Sequence, residues 1–152
     1  MPITGPDPTC LTVQQRAAAA GPLLLVVAVA LVDADGRVLL GQRPAWKAMA
    51  GLWEFPGGKL NADETPEAAV VRELKEELAV DISESCLAPL TFASHAYADF
   101  HLLMPLYVCR VWRGTPQPLV HQQLKWVPPR AMAALPMPAA DRPLIAFLRD
   151  FL

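Results

Sequence analysis

The sequence predicts an α/β fold in which a sheet is covered by helices on both sides, and three features carry that reading. An apolar run rich in Val and Leu, residues 23–32, has the character of a buried strand. Thr65-Pro66 opens a helix, because Thr is a good N-cap and Pro fits the first helical position. An amphipathic helix closes the chain from Asp141 to Leu152, with Leu144, Ile145, Leu148 and Phe151 or Leu152 at helical spacing. Strand-like stretches between these helices favour a layered arrangement.

Residues 1–20 mix Pro, Gly, Thr and an Ala run without a period, and are expected to form a loosely ordered leader before one domain spanning 21–152. The turn signal Asp33-Ala34-Asp35-Gly36 joins the first strand to a second at 38–42, so a hairpin is expected. Residues 44–58 read as a loop containing a short extended piece at 52–55. The helix from Thr65 should reach Leu78 or Ala79, with Glu67 in its first turn complementing the dipole. Further strands are expected at 87–95, 102–112 and 124–127, with Pro105 implying an edge position or a bulge.

Composition narrows the function. Hydrophobic residues at 53% against 18% charged suit a packed core and exclude a disordered chain. A net charge of -2 favours neither a nucleic-acid polymer nor an anionic membrane as partner. Such a protein needs a cation to handle a polyphosphate. Cys10, Cys86 and Cys109 are widely spaced, as expected of reduced thiols in a cytoplasmic protein. The run 23–32 is too short to span a bilayer, and Arg16 alone is a poor charged region for a signal peptide. The sequence does not specify an oligomeric state.

The helix carries the chemistry. Glu73, Glu76 and Glu77 stand at i, i+3 and i+4 and share one face, while Val71, Leu74 and Leu78 are expected to pack on the sheet. Three carboxylates near a helix C-terminus repel one another and oppose the macrodipole. A divalent cation resolves the conflict, since hard oxygen ligands suit Mg²⁺. A solvated acidic face, partly neutralised by Arg72 and Lys75, is the competing reading, and the helix alone leaves both open. The preceding loop, Phe55-Pro56-Gly57-Gly58, permits close backbone approach to a phosphate or metal and favours the first.

Gly58, five residues, Glu64, seven residues and then Arg72-Glu73-Leu74-Lys75-Glu76-Glu77-Leu78-Ala79-Val80 resembles the Nudix box, departing from it only at Ala79, where the family has Gly. The flanking stretches Gln42-Arg43-Pro44, Gly51 to Lys59 and Leu135 to Asp141 resemble the MutT-type branch, which acts on oxidised nucleotides such as 8-oxo-dGTP, and a related CTP pyrophosphohydrolase. The resemblance implies a Nudix-type α/β/α sandwich with a mixed sheet, and hydrolysis of a nucleoside triphosphate to monophosphate and pyrophosphate with Mg²⁺, or Mn²⁺ in its place. It implies Glu73, Glu76, Glu77 and the Gly57 carbonyl as metal ligands, Arg72 as the group orienting the glutamates, and Glu64 as a supporting carboxylate.

By the same resemblance, Arg43, Glu54, Phe55, Pro56, Gly57, Gly58 and Asp141 form the substrate site. Arg43 would meet phosphate or base, and Phe55 would form an apolar wall. Asp141 stands where the 8-oxo-dGTP enzymes have Asn, so it reads either as a base-contacting acceptor or as a helix N-cap. Residues 116–123 contain no Asp or Glu, and Val120 occupies the place of a glutamate common in MutT-type enzymes. The adjacent His121 reads as a surface residue. His95, Tyr97, Asp99 and His101 alternate along a possible cleft edge without an assigned role. A CTP or modified-dCTP pyrophosphohydrolase is the alternative activity, and a non-catalytic nucleotide-binding module a third reading.

Overall fold

The computed structural model describes residues 21–152; the leader expected over residues 1–20, with Cys10, lies outside them. Strands β1 (Leu23–Leu31), β2 (Val38–Gln42), β3 (Trp53–Glu54) and β4 (Gly57–Lys59) precede helix α1 (Pro66–Leu78). A single 3-10 turn leads into β5 (Leu87–Ala96), followed by β6 (His101–Cys109), β7 (Leu124–Val127), the short α2 (Pro129–Met132) and α3 (Leu144–Phe151).

The strands form two sheets, a mixed one ordered β4-β1-β6-β5 and an antiparallel one ordered β3-β2-β7. Among the described residues, only β1 and β6 run parallel. The expected hairpin between the first two strands is reduced to one bridge, Val32 to Val38, because β2 leaves at the Asp33–Gly36 turn to build the second sheet. Pro105 sits in a central strand, not at an edge. The parallel ladder pairs Leu25 with Leu103 and Ala28 with Leu106 and omits the positions between, where Pro has no N–H to donate. On its other side β5 bulges between Pro89 and Thr91.

Alternation along β1 explains the layers. Val27, Val29 and Leu31 face α1, whose Ala69, Val70, Leu74 and Leu78 are fully buried against them. Ala28, Ala30 and Val32 face the other way, into a core shared with Leu40, Leu106 and the α3 residues Leu144, Ile145 and Leu148. With both faces covered, β1 needs no polar side chain, which is why its sequence runs apolar throughout. Val70, rather than the expected Val71, completes the buried stripe of α1; Val71 is only half-buried. Among the described residues no helix is long and apolar enough to cross a membrane.

Both ends of α1 are held locally. The Thr65 hydroxyl accepts the Ala68 N–H at 3.1 Å, with Pro66 in the first turn. At the other end Ala79 is left-handed, with φ 56° and ψ 35°, as the Gly of the box would be. Its N–H reaches the Lys75 carbonyl at 3.1 Å, and the N–H groups of Gln117 and Leu119 cap the Leu78 and Glu77 carbonyls at 2.8 and 3.2 Å. A Cβ in this conformation costs about 1–2 kcal/mol, and Gly loses part of that advantage to its freer unfolded chain. Ala79→Gly is therefore expected to raise the unfolding free energy by roughly 0.5–1 kcal/mol in a urea titration, with the slope unchanged.

Candidate active site

Arg72 organises the carboxylates of α1. Its Nε and Nη2 donate to the two oxygens of Glu64 at 2.7 and 2.8 Å. Nη1 donates to Glu73 at 2.9 Å and to Glu76 at 3.2 Å, and Nη2 also reaches the Lys59 carbonyl at 2.9 Å. These hydrogen bonds, Arg72's first and the Asn61 N–H second, hold the Glu64 carboxyl at about 2, and the same Glu64 contact raises Arg72. Glu64 is thus bound to the guanidinium, and Glu76 stays exposed at the outer edge of the cluster.

Glu73 and Glu77 turn inward instead. The Glu73 carboxylate lies on Gly58, where a Cβ would fall 2.4 Å from Oε1, so a side chain there would expel it. Gly57 is equally constrained, because a Cβ would sit 1.9 Å from the Val27 carbonyl of the neighbouring strand. Its N–H donates to Glu77 Oε2 at 3.3 Å. Burial first, and then the Glu73 and Glu54 charges, push the Glu77 carboxyl to about 8 against the opposing pull of Gly57 and Lys47. Glu73 is raised as well, by burial, despite Arg72. Two crowded carboxylates short of positive charge, beside the backbone of Gly57 and Gly58, make a hard-oxygen donor set that fits a divalent cation such as Mg²⁺. No cluster of three or more His, Cys, Asp or Glu side chains among the described residues is arranged to hold a metal on its own. Mg²⁺ typically takes one or two carboxylates and completes its shell with water and substrate phosphate, so this donor set suffices.

Glu73, Glu77, Gly57 and Gly58 line one side of a cavity of about 550 Å³. Its other walls are apolar, from Leu24, Val26, Phe55, Leu102 and Met104, with Tyr97 and Phe100 added. Arg43, Lys47 and Glu54 bring charge to the same space. Asp141 also lines it and is 5% exposed. Burial, then the Glu54 charge, raise the Asp141 carboxyl to about 7, opposed by the Phe55 N–H and by Arg43. The Phe55 N–H that faces Asp141 and the Gly57 N–H that faces Glu77 are two residues apart, about 7 Å of extended chain. The cavity therefore has two separated acidic positions joined by the Phe55–Pro56 segment.

Of the residues expected at the site, Arg43, Glu54, Phe55, Gly57, Gly58, Glu73, Glu77 and Asp141 come together in this cavity. Glu64, Arg72 and Glu76 stand behind it, and Pro56 is buried, its carbonyl accepting the Val29 N–H at 3.0 Å. Asp141 does not cap α3, whose N-cap position is Pro143, without a side-chain cap. His121 is not a surface residue: it is 5% exposed and its Nε2 lies 3.2 Å from Glu54. Val120 is half-buried beside it. Tyr97 and Phe100 are cavity residues without an assigned role in the sequence; the aromatic positions in the stretch 95–101 were the available signal.

Fold and site are those of an α/β enzyme in which helix-borne carboxylates meet an apolar cavity. The NUDIX domain family matches residues 27–147, and the chain belongs to the Nudix hydrolases. It is 38% identical to the CTP pyrophosphohydrolase of Escherichia coli K12 over 124 residues, 80% of this chain and 89% of that one. It is 32% identical to the 8-oxo-dGTP diphosphatase of the same organism over 126 residues, 82% and 96% of the two chains. The solution structure of the E. coli ORF135 protein superposes with a TM-score of 0.75 at 33% identity, covering 86% of this chain and 91% of that one. A MutT structure from Burkholderia pseudomallei superposes at 0.73 and 29% identity, covering 82% and 96%.

The Asp141 carboxyl makes a signed prediction. Its folded value of about 7 lies above its ordinary 3.8, so the folded state binds the proton more tightly and loses stability as pH rises through that window. Asp141→Asn is expected to stabilise the protein at pH 8 by a few kcal/mol, on the scale of about 1.4 kcal/mol per pH unit. The gain should vanish near pH 4, as chemical denaturation at the two pH values will show.

Proposed function

We propose that this enzyme hydrolyses nucleoside triphosphates, 8-oxo-dGTP among them, to the monophosphate and pyrophosphate in the presence of Mg²⁺ or Mn²⁺. In the cytoplasm this would remove oxidised nucleotides before DNA replication incorporates them. The observation that carries the reading is the cavity itself: Glu73 and Glu77 beside Gly57-Gly58, with the apolar wall and Asp141 in the same space. We take residues 21–152 as one domain.

Glu73, Glu77 and the Gly57 carbonyl would hold the divalent cation, with Glu76 completing the set from the outer edge. A cation held there neutralises the triphosphate and supplies an activated water for in-line attack. Arg72 keeps the glutamates in place and Glu64 keeps Arg72 in place. Arg43 and Lys47 offer positive charge to the phosphates. Phe55 supplies an apolar face for the base, with Tyr97 and Phe100 nearby.

Asp141 decides the base. A protonated carboxyl both donates and accepts, as the amide of Asn does, whereas the ionised form only accepts. Its position near neutrality makes both forms available. The protonated form suits the edge of an oxidised guanine; the acceptor suits an exocyclic amino group, such as that of cytosine. A CTP or modified-dCTP pyrophosphohydrolase is therefore the second reading, supported also by the 38%-identical CTP enzyme.

With Mg²⁺, the purified protein is expected to release pyrophosphate and not orthophosphate from 8-oxo-dGTP; orthophosphate alone contradicts the proposal. Comparing kcat/KM for 8-oxo-dGTP, dGTP, CTP and 5-methyl-dCTP chooses between the two readings. Glu77→Gln should lower kcat by roughly 10²–10³-fold, the scale of losing one group that stabilises the transition state.

A further inference from the structure

The glutamate absent from residues 116–123 has a neighbour, His121, that the reading above leaves unused. Its side chain is almost wholly buried, although it arises from a mostly exposed loop. Its Nε2 lies 3.2 Å from Glu54 Oε1, and the other Glu54 oxygen accepts Arg43 Nη1 at 2.6 Å. Burial alone would raise the Glu54 carboxyl, but the hydrogen bonds from His121 and Arg43 outweigh it and hold the group below its ordinary value. Glu54 is therefore an acceptor, and Nε2 carries the donated hydrogen. Nδ1 is buried without a partner, so the ring's whole polar contact is with Glu54.

The second sheet is shaped for this contact. Gly41 of β2 is the register partner of Glu54 on one side and of Leu124 on the other. His121, three residues before Leu124, folds its ring back over Gly41 to reach Glu54 across the intervening strand. A Cβ at Gly41 would meet three ring atoms at 2.5 to 2.7 Å. The missing side chain thus opens the path between the loop and the cavity. The loop is also pinned to β2 by Gln122 N–H to the Gln42 carbonyl at 3.0 Å and Gln122 Nε2 to the Arg43 carbonyl at 2.9 Å.

We propose that His121 is a positioning residue: seated on Gly41, it fixes the Glu54 carboxylate and through it the Arg43 guanidinium at the cavity. The Arg43 guanidinium has one further tie, Nε to the Ala48 carbonyl at 2.7 Å, which lies in the exposed stretch 45–50. Glu54 is the anchor on its other side. Without the His121 donor, Glu54 keeps its bond to Arg43 but gains freedom to rotate, and the guanidinium turns with it. The inference rests on the proposed contact between Arg43 and the substrate.

Two variants of nearly equal shape isolate the donor. His121→Gln keeps an N–H within reach of Glu54, whereas His121→Met does not, and both lose the ring equally. With the triphosphate that the enzyme hydrolyses best, His121→Met is expected to raise KM about tenfold while kcat stays within about threefold, the loss of one charge-assisted hydrogen bond's positioning. His121→Gln should recover most of the KM. In an Arg43→Ala background, His121→Met should add less than about twofold, because the two act through one path. Equal KM values for the Gln and Met variants overturn the proposal, as does a full tenfold effect without Arg43. If Arg43→Ala alone leaves KM unchanged, the assignment of Arg43 to the substrate fails, and the proposal with it. If Arg43→Ala raises KM but His121→Met does not, only the role of His121 fails. Should neither His121 variant fold, the Arg43 Nε–H resonance of Gly41→Ala provides the same test: a shift and broadening supports the path, and an unchanged line overturns it.

Discussion

The site depends on one cation of the protein's own, the Arg72 guanidinium. Glu73, Glu76 and Glu77 would repel one another and fray the C-terminal half of α1, with Glu64 adding a further charge beside it. Arg72 contacts Glu64, Glu73 and Glu76, and adds the Lys59 carbonyl at the edge of β4. The fork geometry of arginine makes this possible; a lysine would offer a single point charge. One side chain therefore joins loop, strand and helix, and fixes which glutamates are consumed by structure and which remain available.

Glu77 is the remainder. It is the one member of the cluster that Arg72 does not reach, and its nearest donors are a backbone N–H and the more distant Lys47. Glu73 is only half compensated: Arg72 binds its Oε1, yet burial still raises the carboxyl. Leaving two carboxylates crowded and partly dry weakens the folded state, as buried charge without a partner does. A bound cation would reverse that cost. Asp141 shows the same design at the other acidic position, where a buried carboxyl is raised by its surroundings rather than relieved. Both strained groups face the cavity, and both lie outside any hydrogen-bonding role in the fold beyond one backbone N–H.

Much of this was legible in the residues. The alternation hidden within the continuous apolar run of β1, the Thr65-Pro66 start of α1 and the spacing from Gly58 to Glu77 are local patterns, and local patterns survive folding. Four features were illegible because they depend on distant partners. The separation of β2 from β1 follows from its pairing with β7, more than eighty residues later. The central place of Pro105 follows from a gap in a parallel ladder that no sequence window contains. His121 looked like a surface residue because its burial is decided by Gly41, eighty positions earlier. Similarly, Asp141 beside Arg142-Pro143 has the signature of a cap, and only the Phe55 segment packed on it shows otherwise.

Mn²⁺ binding decides whether the inward carboxylates form a divalent-cation site at the phosphate side of the cavity. Electron paramagnetic resonance can follow free Mn²⁺ during titration of the protein without nucleotide. Stoichiometric binding by the wild-type protein is expected, competed by Mg²⁺ and strongly weakened in Glu77→Gln and Glu73→Gln. Wild-type affinity retained in both variants would contradict it.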